Sequence, residues 1–506
     1  MPNRPTGVRH IVMTFLGFLA FLTYFDRICI AEATQYIEKD LNLTSSQMGL
    51  IMGAFWFSYA IFELPAGWMG DKYGPRVTLT RIVLGWSFFT ALSGVARGYW
   101  SLITCRFLFG AGEAGAFPNM ARIQSQWLPI ASRPRAGGLL WMLARWGGAF
   151  SYPIFGLLMV AFSSALFRDT VRQIPGLGFL ADQASWRLSF WAAGLVGVVW
   201  CICFYAWFRD HPSEKASVNA AELELITRGA PPAEQGHGMP SHLWGRLLTN
   251  RSLIALGILY LCGSFGWSFF ASWMPKYLKE IEAAQVASTA AANPVADPAA
   301  NPAAATSPSS ASVETASEPE TKTDQANTPD TQAAPPTSPT VNVNWKGALP
   351  LFFGGISCLI GGALCNWLVA KYGKDNKWTR AIFPMSGYVT AALAMAFIPF
   401  VKTPTQAIVL LCLAEVAHDF GQGANWATIV DIGGRYAGVA AGLINTIGNM
   451  GNAFQPYIGA QIKDNFGWST LFGVYSCAFL MAAAMWIFID PRRTFYGENN
   501  VTPTEN

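Results

Sequence analysis

The chain has 506 residues, of which 52% are hydrophobic, 14% aromatic and only 13% charged, with a net charge of +4. Soluble proteins carry roughly 25% charged residues, so composition excludes an ordinary soluble domain. The small net charge and the absence of a long basic block exclude a nucleic-acid stripe.

The first apolar run follows Arg4 and Arg9. It extends past the length of a signal peptide, lacks a small-residue cleavage site and contains Asp26 and Arg27, so it reads as a first membrane span. A span needs roughly 20 mostly apolar residues. On that criterion twelve are expected, at 10–32, 46–67, 76–96, 99–120, 137–161, 188–208, 252–278, 347–370, 380–400, 404–430, 437–461 and 467–489. The predicted fold is an all-α membrane protein, with two pseudo-symmetric six-helix bundles.

Between the sixth and seventh spans, 209–250 is polar, with a short amphipathic helix expected near Ala221–Ile226. It reads as a linker between an N-terminal bundle, 9–208, and a C-terminal bundle, 251–489, with a tail at 490–506. Within the second bundle, 282–343 is rich in Ala, Pro, Thr, Ser and Asn. It holds too few large apolar residues to fold and is expected to be disordered. Lys and Arg are concentrated on the side holding Arg4, Arg9, Lys72, Arg76, Arg133, Arg135, Arg209, Lys371, Lys374, Lys377 and Arg380. By the positive-inside rule this side, with both termini, is cytoplasmic. A bacterial inner membrane is the expected location. The insert at 282–343 and Asn42-Leu43-Thr44, a chance-level glycosylation pattern, then lie outside.

All nine cysteines, Cys29, Cys105, Cys201, Cys203, Cys262, Cys358, Cys365, Cys412 and Cys477, lie in apolar runs. They read as small hydrophobes, with no disulfide frame and no metal site. No cofactor is expected, and no nucleophile–base pair stands out to suggest an enzyme.

Charges inside the spans carry the functional reading, because such side chains rarely face lipid. Tyr24 and Arg27 lie three apart and share a helix face. Arg27 offers donors suited to a carboxylate, while Asp26 points about 100° away on an ideal helix. Arg106 and Glu113 lie two turns apart, with Gly110 and Gly112 between them leaving room for a solute or a close helix. A static buried network is the structural alternative, although such pairs contribute little net stability. In the tenth span Glu415, His418 and Asp419 share a face, offering a group that titrates near neutral pH or a polar helix interface. Gly421, Gly423 and Asn425 follow. Tyr24, Trp273, Tyr277, Asn445 and Asn449 are candidate hydroxyl-recognition groups, since a sugar acid needs apolar walls with several hydrogen-bond partners.

The turn from Gly67 through Asp71, Lys72 and Gly74 to Arg76 pairs glycines with charges in a pattern suited to a conformational lock. It resembles the loop signature of the major facilitator superfamily, with Pro75 where many members carry a basic residue. In the second half Gly361, Gly362 and Leu364 resemble the same signature, but Asn366 takes the acidic position. Tyr24-Phe25-Asp26-Arg27 resembles the first-helix signature of the anion:cation symporter family within that superfamily. Arg106, Gly110, Gly112, Glu113-Ala114 and Phe117-Pro118 are similar to its fourth helix. Trp186-Arg187, Asp210-His211-Pro212-Ser213, Trp273 through Leu278 and Asn445 through Asn449 match further positions.

The resemblance implies proton-coupled symport of an organic anion, such as a hexuronate, aldonate or aldarate, by a monomer in the lipid bilayer. Arg27 would bind the anion, Asp26 and Glu113 would carry protons, and Arg106 would modulate Glu113. Apart from the resemblance, Glu415 and His418 read from their spacing as a second proton station or substrate contact, or as a satisfied polar interface between helices. Burial favours the protonated form of a carboxyl and a nearby guanidinium the ionised form, so anion binding can change proton occupancy. The competing expectations are exchange of an organophosphate for phosphate and a solute receptor that does not transport.

Overall fold

The computed structural model describes residues 4–129, 132–227, 241–292, 345–372, 377–401 and 403–497. The helices in chain order are α1 Val8–Asp40, α2 Ser45–Tyr73, α3 Pro75–Ser93, α4 Tyr99–Glu113, α5 Ala116–Trp127, α6 Arg133–Ser163, α7 Ala165–Gln173, α8 Ser185–Trp207, α9 Ala220–Thr227 and α10 Ser241–Thr249. They continue with α11 Arg251–Ser272, α12 Met274–Ala292, α13 Ala348–Tyr372, α14 Trp378–Phe397, α15 Pro404–Phe420, α16 Gln422–Gly433 and α17 Ala437–Met485.

Among the described residues, eight helical stretches are long and apolar enough to cross a membrane. The last of them is two helices joined at Gly467, whose φ of 81° favours glycine. With α2, α3 and the α4–α5 pair, the helices account for all twelve apolar stretches expected from sequence.

The two halves pack alike. In the first, α1 lies on α6, α2 on α4 and α3 on α8; in the second, α11 lies on α17, α13 on α15 and α14 on α17. The halves meet along two seams, α2 against α17 and α6 against α13. A Cβ at Gly49 or Gly53 of α2 would strike the backbone of Pro456 or Ala453 on α17. These two glycines therefore let the backbones touch, a common device where helices pack within a membrane.

Several expected spans are interrupted. The span at 99–120 breaks between α4 and α5, where Gly115 has φ 86°. The span at 404–430 breaks at Gly421, between α15 and α16. The span at 252–278 divides at Trp273 into α11 and α12. Helix α1 runs to Asp40, past the expected end at 32, because its polar last turns find partners instead of water.

The expected disorder at 282–343 is corrected at its start. Residues to Ala292 continue α12, consistent with the strong helix preference of the alanines there. Residues 293–344 lie outside the described residues, as do 228–240 of the linker and 498–506 of the tail.

At the end of the bundle that carries the N-terminus, the linker is tied to the first helix. Thr6 Oγ1 donates to the Glu222 carboxylate, as do the backbone N–H groups of Val8 and Arg9, both at 3.1 Å. The Arg9 guanidinium adds an ion pair at 3.2 Å. Glu222 thus satisfies donors at the start of α1 that helix geometry leaves without partners. Burial alone would raise its pKa, but these donors and the Arg9 charge bring it below the ordinary carboxylate range.

Candidate functional site

The α1 charges fall where neighbouring helices can reach them. Arg27 is 6% exposed, Asp26 and Arg106 are 1% exposed, and Glu113 is fully buried. Arg27 Nε donates to Glu113 Oε1 at 2.5 Å, joining α1 to α4. Its guanidinium lies among aromatic rings, 4.5 Å from the centre of Tyr59, 4.9 Å from Tyr24 and 5.4 Å from Trp56. Arg27 Nη2 has no hydrogen-bond partner. A guanidinium held by one carboxylate, with aromatic walls and a free donor, suits a second anion.

Asp26 points away from Arg27, as helix geometry requires. Its charged neighbours are Glu113 and Arg106, and neither of its oxygens accepts a hydrogen bond. Arg106 Nη2 donates to the carbonyl of Arg27 at 3.4 Å, and its guanidinium lies 4.4 Å from the Phe109 ring centre. The direct partner of Glu113 is therefore Arg27, and Arg106 acts from two turns away.

Asn445 comes to the same site from the other half. Its Nδ2 donates to both Glu63 oxygens, at 2.8 and 2.6 Å. The Tyr59 hydroxyl donates to Glu63 at 3.4 Å. A path of contacts thus runs from Arg27 through Tyr59 and Glu63 to α17. Asn449 is nearby on α17, accepting from Asn452 at 3.3 Å while its own Nδ2 is unpartnered. Glu63 was not singled out in the sequence, although a carboxylate inside the span 46–67 is the same signal that marked Asp26.

The Glu415, His418 and Asp419 face on α15 is not a single station. Glu415 accepts from Trp267 Nε1 at 2.9 Å. Asp419 pairs with Arg145 of α6 at 2.7 Å, across the seam between halves. His418 Nδ1 lies 3.1 Å from Asp419 and its Nε2 lies 3.1 Å from Gln422, with its ring beside Tyr388 and Phe479. Arg145 was also missed, though it interrupts the span 137–161 as visibly as Arg27 interrupts the first.

Trp273 and Tyr277 are not brought to Arg27. Trp273 Nε1 donates to the Pro456 carbonyl at 3.0 Å. Tyr277 packs against Phe269, Trp468 and Phe472. Tyr277 is built into a separate aromatic cluster, and Trp273 is tied to α17.

At the end of the bundle formed by the α1–α2 connection, further ion pairs join the halves. Lys276 of α12 donates to Glu38 at 2.8 Å and to Ser45 at 2.7 Å, while Lys279 pairs with Glu32 at 2.7 Å. Gln461 donates to Ser46 at 3.0 Å.

In the loop before α3, Gly74 has φ 81°, and a Cβ there would meet the Asp210 carboxylate at 2.8 Å. Asp210 accepts from the backbone N–H of Arg76 at 2.8 Å, and the Arg76 guanidinium donates to the Tyr205 carbonyl. The loop is thereby held to the end of α8. Lys72 lies 5.2 Å from the Tyr73 ring centre. The expected lock through Asp71 falls outside the described side chains, and Gly67 is likewise not described beyond its place in α2.

Residues 16–296 match the Major Facilitator Superfamily. The chain belongs to this superfamily. Among its curated relatives, the probable sulfoacetate transporter SauU of Cupriavidus necator is 26% identical over 96% of this chain and 95% of its own length. The hexuronate transporter of Bacillus subtilis is 24% identical over 94% of this chain and 92% of its own. Solved members of the superfamily share the fold. A bacterial homologue of the human lysosomal transporter Spinster superposes with TM-score 0.65 at 18% identity, covering 96% of this chain and 95% of that one. The chain is accordingly an integral multi-pass membrane transporter of the superfamily rather than an enzyme, and its curated relatives carry organic anions.

Proposed function

We propose that the chain takes up an organic anion, a sugar acid in the first instance, together with protons, by alternating access between its two halves. The observation that carries this reading is Arg27: a buried guanidinium held by Glu113 at 2.5 Å, walled by aromatic rings and left with one unpartnered donor. In this reading the solute's acidic group meets Arg27, and Tyr24, Asn445 and Asn449 meet its hydroxyls. Glu113 and Asp26 carry the protons. Proton arrival at Glu113 frees Arg27 for the anion, and departure of the anion returns Arg27 to Glu113. Arg106 sets the charge balance around both carboxylates. Anion and proton then move in the same cycle because the Glu113 carboxylate and the anion compete for one guanidinium, and protonation of Glu113 removes that competitor.

The names of the relatives support an anionic solute, since sulfoacetate, hexuronates, galactarate and D-glucarate are all acids. The chain acts in this reading as a monomer in a bacterial inner membrane, with both termini, the linker 209–250 and the tail 490–506 in the cytoplasm. The Lys276–Glu38 and Lys279–Glu32 pairs then close the outer side.

Uptake of labelled galacturonate into proteoliposomes, with and without an imposed pH gradient, tests the proposal. We expect accumulation only with the outside acidic. Glu113→Gln is expected to abolish accumulation while leaving exchange of internal for external solute. Accumulation that ignores the pH gradient and requires internal phosphate would replace this reading with anion exchange, and binding without internal accumulation would make the chain a receptor.

A further inference from the structure

Arg145 lies on the same aromatic side chain as Arg27 and has no role in the cycle above. Both guanidinium groups face Tyr24, with the Arg27 carbon 4.9 Å and the Arg145 carbon 5.9 Å from the ring centre. Trp267 of α11 completes the wall between them. It lies 4.5 Å from the Arg145 guanidinium and 6.2 Å from the rings of both Tyr24 and Trp56, and Trp56 itself borders Arg27. The Trp267 ring is fixed by its hydrogen bond to Glu415. Two cations therefore flank one rigid aromatic wall.

Their electrostatic settings also match. Each arginine has one buried carboxylate partner, Glu113 for Arg27 and Asp419 for Arg145. A guanidinium carries five N–H donors and one carboxylate engages only part of that fork. The partners differ in one respect: Glu113 belongs to the same half as Arg27, whereas Asp419 belongs to the half opposite Arg145.

We propose that Arg145 is the second anion-binding group of this site, and that the preferred solute carries an acidic group at each end. This inference rests on the proposed anion-transport function. One end of the solute meets Arg27 and the other meets Arg145, with the carbon spacer lying along Tyr24 and Trp267. A solute with a single acidic group leaves one desolvated guanidinium to its protein carboxylate alone. One with two acidic groups competes with Glu113 at one end and with Asp419 at the other. Displacing Asp419 releases an ion pair that joins the halves, so occupancy by a dianion also loosens the seam that must move during transport.

Purified protein is tested against matched pairs that differ by one acidic group: galactarate and D-galacturonate, sulfoacetate and methanesulfonate, succinate and butyrate. The readout is the concentration of each that half-protects against thermal unfolding. The wild-type chain is expected to bind at least one dianion about tenfold or more tightly than its partner, the size of one charge-assisted contact. Replacing Arg145→Gln together with Asp419→Asn avoids an unpaired buried charge and is expected to bring that ratio within about twofold. Arg145→Lys keeps the charge without the fork and is expected to give an intermediate ratio.

A wild-type ratio near one overturns the inference, as does a ratio that survives the double substitution. If all ligands bind equally and Arg27→Gln abolishes them together, anion recognition stands and the two-ended solute falls. If none of the six ligands binds the wild-type chain, both readings fall.

Discussion

The chain contains two buried arginine–carboxylate pairs that are alike in chemistry and different in placement. Arg27 and Glu113 sit on α1 and α4, inside one half. Arg145 and Asp419 sit on α6 and α15, one in each half. A pair within a rigid half keeps its geometry as the halves rock, so it can hold a solute and proton through the whole cycle. A pair across the seam is bound to the relative position of the halves and must open or be replaced when they separate. In the proposed cycle proton coupling belongs to the first pair, while the second joins the far end of the solute to the conformational state.

The comparison breaks most visibly at Arg27. Arg27→Gln strips Glu113 of its partner, and truncating one member of a buried pair costs about 3–5 kcal/mol of stability. Thermal unfolding in detergent is expected to register that loss, and uptake to vanish. Combining Arg27→Gln with Glu113→Gln removes both charges, so most of the stability returns while uptake does not. Recovery of uptake in the double variant would reduce the pair to a structural role.

Asp419→Asn is likewise expected to cost stability, because it leaves the buried Arg145 guanidinium without its carboxylate. Its main effect falls on the balance between conformations. Labelling of Ser46→Cys, on a background lacking the native cysteines, is expected to quicken about tenfold, equivalent to roughly 1.4 kcal/mol in the opening equilibrium. Unchanged labelling would show that the cross-seam pair does not hold the halves.

At the α1–α2 end, Lys276 clasps the partly exposed Glu38 and Lys279 the fully buried Glu32. A partly exposed ion pair contributes up to about 1 kcal/mol. Glu38→Gln is accordingly expected to raise labelling at Ser46→Cys by only a few-fold, without loss of anion binding.

The smallest effect is expected at Glu222, outside the membrane. Its carboxyl is held below the ordinary value, so the ionised form favours docking of the linker on α1. That contribution is fully present above the unfolded pKa of about 4.3 and is lost as the pH falls through the lower folded value. Limited proteolysis of the linker should therefore accelerate only below about pH 4, and Glu222→Gln should show the faster rate already at neutral pH.

Much of this arrangement is legible in the chain itself. Twelve apolar runs announce the spans, and Asp26, Arg27, Arg106 and Glu113 announce themselves by interrupting them. Which charges meet is not legible. Glu113 lies on the same helix stretch as Arg106, yet its ion-pair partner is Arg27, eighty-six residues away. Asp419 lies beside His418 in sequence but finds its guanidinium on α6. Local spacing fixes the helix face a side chain occupies, whereas the pairing depends on which helices the tertiary packing brings against that face.

Arg145 and Glu63 were legible by the signal that revealed Arg27. Arg145 is a lone charge between Ala144 and Trp146 in an otherwise apolar run, and Glu63 lies close to the charged loop that follows. The helix breaks at Gly115 and Trp273 lie within runs that apolar length alone carries through, whereas the break at Gly421 falls in the polar, glycine-containing stretch from His418 to Asn425. Trp273 and Tyr277 suited hydroxyl recognition by residue type, but type does not distinguish a binding wall from a packed aromatic cluster.

The central claim is that the anion replaces a protonated Glu113 at the Arg27 guanidinium, and it is tested most directly by recording proton movement as the anion is added. Proteoliposomes containing a pH-sensitive dye, with no gradient imposed, are mixed with external galacturonate or galactarate. The account predicts acidification of the interior on addition, proportional to anion uptake and absent in Glu113→Gln. Anion entry at the wild-type rate with no change in internal pH would contradict it.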